Sequence, residues 1–242
     1  MNVELIPSIM HDKGWCNGER LMQIWFERPP NAVPKAGAPE TATIRLDSWA
    51  LTFSRCREAY EGIIRNRAWR CPEARKNLGH WLANNRKLSQ QRICFGDLNR
   101  PVSALDRDFI YQVPVGSLTD PLDDMFAALG KFNLRIVLAG SISGLTIPSP
   151  VNRTSRYQVQ IDRVGVYIYD SYDFNGFQLL GFWSELCRDV ARGPTGDYEA
   201  VYNSTFREWR EKNKKGGDFL VFSDLKVIPL NPPDTFELPP NI

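Results

Sequence analysis

A chain of 242 residues with 30 basic and 28 acidic side chains carries a formal net charge of +2, too small an excess for the broad positive field of nucleic-acid binders. Its apolar share of 43% and aromatic share of 12% suit a packed core of one large or two small domains and exclude a disordered chain. Two histidines and five scattered cysteines without a CxxC pair offer neither a structural zinc site nor a disulfide framework, and no apolar run approaches the ~18 residues of a membrane span.

In chain order, "GERLMQIWFE" places Leu21, Met22, Trp25 and Phe26 at helical spacing. The helix is closed by "RPPNAVPKAGAPETA", whose prolines cannot continue it and read as an extended strap. "LDSWALTFSRCREAYEGIIRNRAWR" mixes helix formers with apolar residues near a 3.6 period, and "PEARKNLGHWLANNRKL" opens with proline at a first helical position. The clusters "RNRAWRCPEARKN" and "REWREKNKKGG" read as solvated helix faces, with a groove for single-stranded nucleic acid as the lesser alternative. Residues 1–95 are thus expected to form a mainly helical region, packed as a cap on the rest of the chain.

After Cys94 the character changes. "DFIYQVPVGSL" reads as a short strand and "DPLDDMFAALGKF" as a short helix with acids in its first turn, where the helix dipole favours them. "FNLRIVLAGSISGLTI" and "RYQVQIDRVGVYIYD" are rich in β-branched and aromatic residues on either side of "PSPVNRTS", a turn composition that predicts a long antiparallel hairpin. A helix is expected at "FWSELCRDVAR", a loop at "GPTGDY", a helix at "YNSTFREWREKN" and one terminal strand at "GGDFLVFSDLKVI". The predicted class is α+β, with an antiparallel sheet domain over residues 96–242.

The candidate site stands at the end of the second long strand, in "VGVYIYDSYDFNGF". Alternation puts Val164, Val166, Ile168, Asp170 and Tyr172 on one face. Asp173 follows at a turn where Asn175 and Gly176 tolerate positive φ. Two carboxylates beside an apolar wall can have their proton affinities pushed apart, or can together hold a hard divalent cation such as Mg²⁺, with a phenol between them as donor. The plainer reading makes the same residues a well-formed turn.

"DSYDFN", Asp170 to Asn175, resembles the DxYDFN signature of the colicin M family, bacteriocins that cleave the lipid II precursor of peptidoglycan. In that family too the motif follows consecutive antiparallel strands, and "LGKFNLRIVLAGSIS" looks like the strand leading into them. The resemblance spans about Leu129 to Gly181 and implies a colicin M-like core with Asp170, Tyr172 and Asp173 at catalytic positions. One departure is plain: the family's His-Arg pair, five residues beyond the second aspartate, is replaced here by Leu179 and Leu180, and no histidine follows His80. Arg207 and Arg210 are the candidates to supply the missing cation, Arg207 in the chemistry and Arg210, with Asn175, in substrate binding, because guanidinium forks suit diphosphate. Asp218 in "GGDF" is read as the start of a buried strand, without a chemical role.

The wider chain, through "GWCNGERLMQIWF", "YDSYDFNGFQLLGFWS" and "NSTFREWREKNKKGGDFLVFSDLK", resembles uncharacterised bacterial proteins found near interbacterial toxin and type VI secretion genes. Three functions are expected on these grounds. The first is a toxin that hydrolyses the phosphoester or pyrophosphate linkage of a lipid-linked cell-wall precursor with Mg²⁺. The second is a non-catalytic immunity or secretion-adaptor protein, and the third a nuclease toxin, which the charge balance disfavours. The N-terminus lacks the basic and apolar runs of a secretory signal. The expectation is synthesis in the cytoplasm, export by a dedicated apparatus and action in a target cell's periplasm, with a cognate immunity protein as partner.

Overall fold

In a computed structural model, which describes residues 1–117, 119–145 and 156–238, the chain is α+β. Helices α1 (Ile6–Asp12), α2 (Cys16–Glu27), α3 (Ser54–Arg65) and α4 (Pro72–Asn84) precede strand β1 (Ile93–Phe95). Then come α5 (Val102–Leu105), β2 (Tyr111–Val115), α6 (Asp124–Leu129), β3 (Phe132–Leu145) and β4 (Arg156–Tyr172). The chain continues with β5 (Leu179–Ser184), β6 (Asp189–Ala191), β7 (Glu199–Tyr202), α7 (Asn203–Asn213), β8 (Phe219–Phe222) and β9 (Lys226–Glu237). It divides into two compact units, each assembled from three segments. The first holds Met1–Ile44, Gly116–Phe132 and Tyr169–Phe222; the second holds Arg45–Val115, Asn133–Ile168 and Ser223–Ile242.

In the second unit β3 lies between β1 and β4 and also pairs β2, while β9 pairs β4. β1 runs antiparallel to β3 from Ile93↔Ile142 to Phe95↔Gly140, and β9 antiparallel to β4 with a bulge between Ile161 and Arg163. Val164, Val166, Tyr167 and Ile168 are all buried, so this part of β4 is covered on both faces and reads as a continuous apolar run. β3 and β4 are neighbours, as the hairpin pattern predicts, whereas the expected "PSPVNRTS" turn lies outside the described residues. Gly140 permits their close approach, since a Cβ there would stand 2.0 Å from the Gln160 carbonyl oxygen. Helix α4 starts with Pro72 at its first position, as predicted, and the Cys71 sulfur accepts from Ala74 N–H at 3.3 Å.

Polar anchors hold this unit. Asp234 accepts from the buried Trp69 Nε1 at 2.8 Å and from Arg67 at 3.0 Å. Asp106 accepts from the Tyr167 hydroxyl at 2.8 Å and from Arg135 at 2.5 Å. Burial, together with the negative charge of Asp106, pushes the Tyr167 phenol far above its ordinary range.

In the first unit α2 packs between α1 and α6. The N-terminus of α2 has no side-chain cap of its own; instead Asp124 accepts from Asn17 N–H at 3.0 Å and Gly18 N–H at 2.8 Å. A carboxylate on the open amides of a helix start satisfies them and complements the helix dipole. Gly18 lets the two helices touch, because a Cβ there would fall 2.7 Å from that of Ala127. On the β side, β8 pairs the end of β4 from Tyr169↔Phe222 to Tyr172↔Phe219, and β5 lies between β6 and β7 in a second sheet.

The segment "FWSELCRDVAR" is not the expected helix. Trp183, Leu186 and Val190 have helical spacing, but the chain reverses between β5 and β6, with Arg188 at φ 49°, and sets Trp183 opposite Val190. Both of those are buried while Leu186 is 79% exposed, so the pairing that wins satisfies two of the three apolar side chains and leaves the third at the turn. The single terminal strand expected over "GGDFLVFSDLKVI" is also two strands, β8 and β9. Between them the Ser223 hydroxyl accepts from Ile168 N–H and donates to the Asp224 carbonyl, both at 2.8 Å, which ends the first pairing.

Candidate functional site

The motif lies wholly in the first unit. β4 stays regular through Tyr172, so Asp170 and Tyr172 share a face as alternation requires. Gly176 then takes φ +73° in the turn, a conformation open to glycine at no steric cost. Beside the strand end is a cavity of about 520 Å³, within the range typical of small-molecule sites. Its walls are mostly apolar, with Met10, Trp15, Met22, Phe126, Leu129 and Trp183 among them, and Asp170, Tyr172 and Asp173 form part of one side.

Burial pushes the Asp170 carboxyl up to about 8; the Ser171 backbone N–H opposes this and the charge of Asp173 adds to it. Near neutral pH Asp170 therefore holds a proton that it can give away. Asp173 accepts from the Ser171 hydroxyl at 2.7 Å and from Asn175 N–H at 3.1 Å, a local turn that fixes the carboxylate. The Tyr172 hydroxyl donates to the Met22 sulfur at 3.6 Å, and its ring stacks on Phe219 with centroids 5.2 Å apart. Burial first, and the Asp170 charge second, raise the Tyr172 phenol well beyond its ordinary value.

The other expected site residues stand elsewhere. Arg207 donates from one nitrogen to the carbonyls of Phe174 at 2.6 Å and Gly176 at 2.7 Å, so its guanidinium clasps the motif loop. Arg210 is buried and paired with Asp218. Asn175 donates through Nδ2 to the same Asp218 at 3.2 Å and to the Ala32 carbonyl at 3.4 Å, while its own carbonyl accepts from Asn203 at 2.7 Å. None of the three is among the residues lining the cavity. Phe174 goes inward, stacked on Phe206 at 4.0 Å and edge-on to Trp25 at 4.8 Å.

Leu179 and Leu180, at the positions where the DxYDFN resemblance leads one to expect a His-Arg pair, do line the cavity. This stretch of wall is therefore apolar, where the resemblance leads one to expect positive charge. The walls supplied by α1, α2 and α6 were not legible in the sequence, because no local pattern links segments more than a hundred residues apart. Nor was Lys131, a basic residue in this wall, inside the quoted "LGKFNLRIVLAGSIS".

A family model matches residues 1–194 and 190–238, together nearly the whole chain; its description is a family of unknown function, DUF6402. The chain belongs to this DUF6402 family. No curated protein and no solved structure matches it. The family carries no assigned reaction, so the chemistry of this DUF6402 chain is argued from the cavity.

Proposed function

We propose that this DUF6402 protein is a hydrolase of a lipid-linked phosphoester or pyrophosphate, with the cell-wall precursor lipid II as the substrate that the DxYDFN resemblance favours. The observation that carries the reading is that two carboxyls, Asp170 and Asp173, lie on the wall of one largely apolar cavity, where burial raises the proton affinity of Asp170. A cavity of this kind accepts a hydrocarbon chain and keeps water away from the phosphate bonded to it. Asp170 gives its proton to the leaving oxygen, and Asp173 orients the attacking water, a division of labour between two carboxyls in unlike surroundings.

Magnesium fits the donor set, since the two carboxyls lie close enough for one to raise the other. Among the described residues no three His, Cys, Asp or Glu side chains gather; a Mg²⁺ that displaced the Asp170 proton would be held by Asp170 and Asp173, with substrate phosphates and water completing its shell, and would supply neutralisation of phosphate charge in place of that proton. Delivery by a dedicated secretion apparatus to a target cell's periplasm, with an immunity protein guarding the producer, belongs to the same proposal.

The test is purified protein on lipid II, with release of the head group measured, beside periplasm-directed expression and growth. Asp170→Asn and Asp173→Asn should each lower turnover ~10²-fold or more while the protein folds normally. Full hydrolysis or toxicity in both variants would reduce the motif to a turn. A non-catalytic immunity or adaptor role is the second reading, favoured by the engagement of Arg207 and Arg210 with protein groups and by the two leucines in the wall. Absence of hydrolysis and of toxicity in either compartment would select it.

A further inference from the structure

Among the described residues that line the cavity, Asp170 and Asp173 included, Lys131 is the one basic side chain. It is exposed, and among the described residues it has no hydrogen bond or ion pair. The two arginines that the sequence offers for phosphate are held by the Phe174 and Gly176 carbonyls and by Asp218. A phosphate entering the cavity therefore meets two carboxyls and a single uncommitted cation.

The backbone that carries Lys131 is closely packed, whereas its side chain is exposed. Gly130, at φ +55°, ends α6, and Gly116 lies so close that a Cβ on it would be 2.3 Å from the Gly130 carbonyl oxygen and 3.2 Å from the Lys131 Cα. Phe132, the next residue, buries its ring and starts β3. The lysine is thus rooted in braced backbone, lines the cavity and is exposed, so its ammonium stays hydrated while its stem lies along apolar wall.

We propose that Lys131 binds the phosphate head of an amphipathic ligand whose hydrocarbon chain occupies the apolar cavity, in place of the cationic pair that Leu179 and Leu180 displace. The proposal rests on the reading of the cavity as a lipid-phosphate site and adds to it the group that recognises the charged end. Selectivity then has two parts. The walls select an apolar chain, and the ammonium separates a phosphorylated chain from the free alcohol.

The experiment titrates the protein with farnesyl diphosphate, farnesol and inorganic pyrophosphate and follows tryptophan emission, to which Trp15 and Trp183 in the cavity wall contribute. The wild type should bind farnesyl diphosphate more tightly than either farnesol or pyrophosphate. Lys131→Gln should lose about 10-fold in affinity for farnesyl diphosphate, with farnesol unchanged, and Lys131→Arg should keep most of it. Equal affinity of Lys131→Gln and wild type for farnesyl diphosphate overturns the role of Lys131 and leaves the hydrolase proposal standing. If neither farnesyl compound binds the wild type, the reading of the cavity falls, and this inference with it.

Discussion

Arg210 and Asp218 form an ion pair in the interior of the first unit, the aspartate side chain with no exposed surface and the arginine with 9%. Trp25 Nε1 donates to the same carboxylate at 2.8 Å, and Asn175 of the motif does so at 3.2 Å. One carboxylate thus ties α2, α7, the start of β8 and the turn after β4. Burial pushes the Asp218 carboxyl upward against the pull of Trp25 and Arg210.

Asp218→Asn keeps the shape of the side chain but leaves a buried guanidinium without its counter-charge. The expected cost is about 3–5 kcal/mol of stability, read from urea unfolding. Removing both charges, as Asp218→Leu with Arg210→Met, should recover part of it. An unchanged urea midpoint in Asp218→Asn would show that the pair contributes little.

Arg207 gives a second, separable outcome. If its guanidinium holds the turn by the Phe174 and Gly176 carbonyls, Arg207→Ala should cost about 1–3 kcal/mol and speed amide exchange over Asn175 to Phe177. Normal stability and exchange with a lost response to farnesyl diphosphate would instead place Arg207 on the substrate, as the candidate for the missing cation.

Asp170 makes stability depend on pH in a direction opposite to that of an ordinary paired carboxylate. Its ordinary value is 3.8 and the fold raises it to about 8. Between those values the folded protein keeps a proton that the unfolded chain has released, so stability falls as pH rises from about 4 to about 8 and levels off above. Urea midpoints at pH 5 and pH 8 should differ in the wild type and converge in Asp170→Asn. The same loss in both proteins would assign the effect to another group.

Strands β2, β3 and β4 and helices α2, α3, α4, α6 and α7 were legible in the sequence because each rests on a local period or a local start signal such as Pro72, whereas the short strands β1 and β7 carry too few residues to show one. The hairpin over Phe182 to Arg192 was not, since Trp183 and Val190 satisfy a helical repeat as well as a facing pair and only the partner strand decides between them. The motif singled out Asp170, Tyr172 and Asp173, and all three line the cavity. The commitments of Asn175 and Arg207 were hidden, because their partners are distant in the chain or are backbone carbonyls; the Arg210 partner, Asp218, is only eight residues on, but a turn and a change from helix to strand lie between them. Asp218 shows the same limit: its two tightest partners, Trp25 and Arg210, lie on different helices.

Gly140 tests the packing of the two long strands. A methyl group there would meet the Gln160 carbonyl oxygen at 2.0 Å, which backbone atoms cannot absorb without moving the strand. Gly140→Ala should cost more than ~3 kcal/mol, beyond ordinary overpacking, or prevent folding. A variant with wild-type stability would mean that β3 and β4 do not approach in this way.

Each unit draws on three separated stretches of chain, and β4 contributes residues to both. During synthesis the first 44 residues must therefore wait for the ribosome to reach Phe222 before all their partners exist, and residues 45–115 wait longer still. Helix α2 gains α6 only after Leu129, and its Trp25 lacks Phe174, Phe206 and Trp209 for longer, a period in which chaperones would have their strongest claim on the nascent protein. A genetic cut at any single point also divides a unit rather than releasing one. Complementation by two fragments would then require both to be present while they fold, and would fail when either half is left to collapse alone.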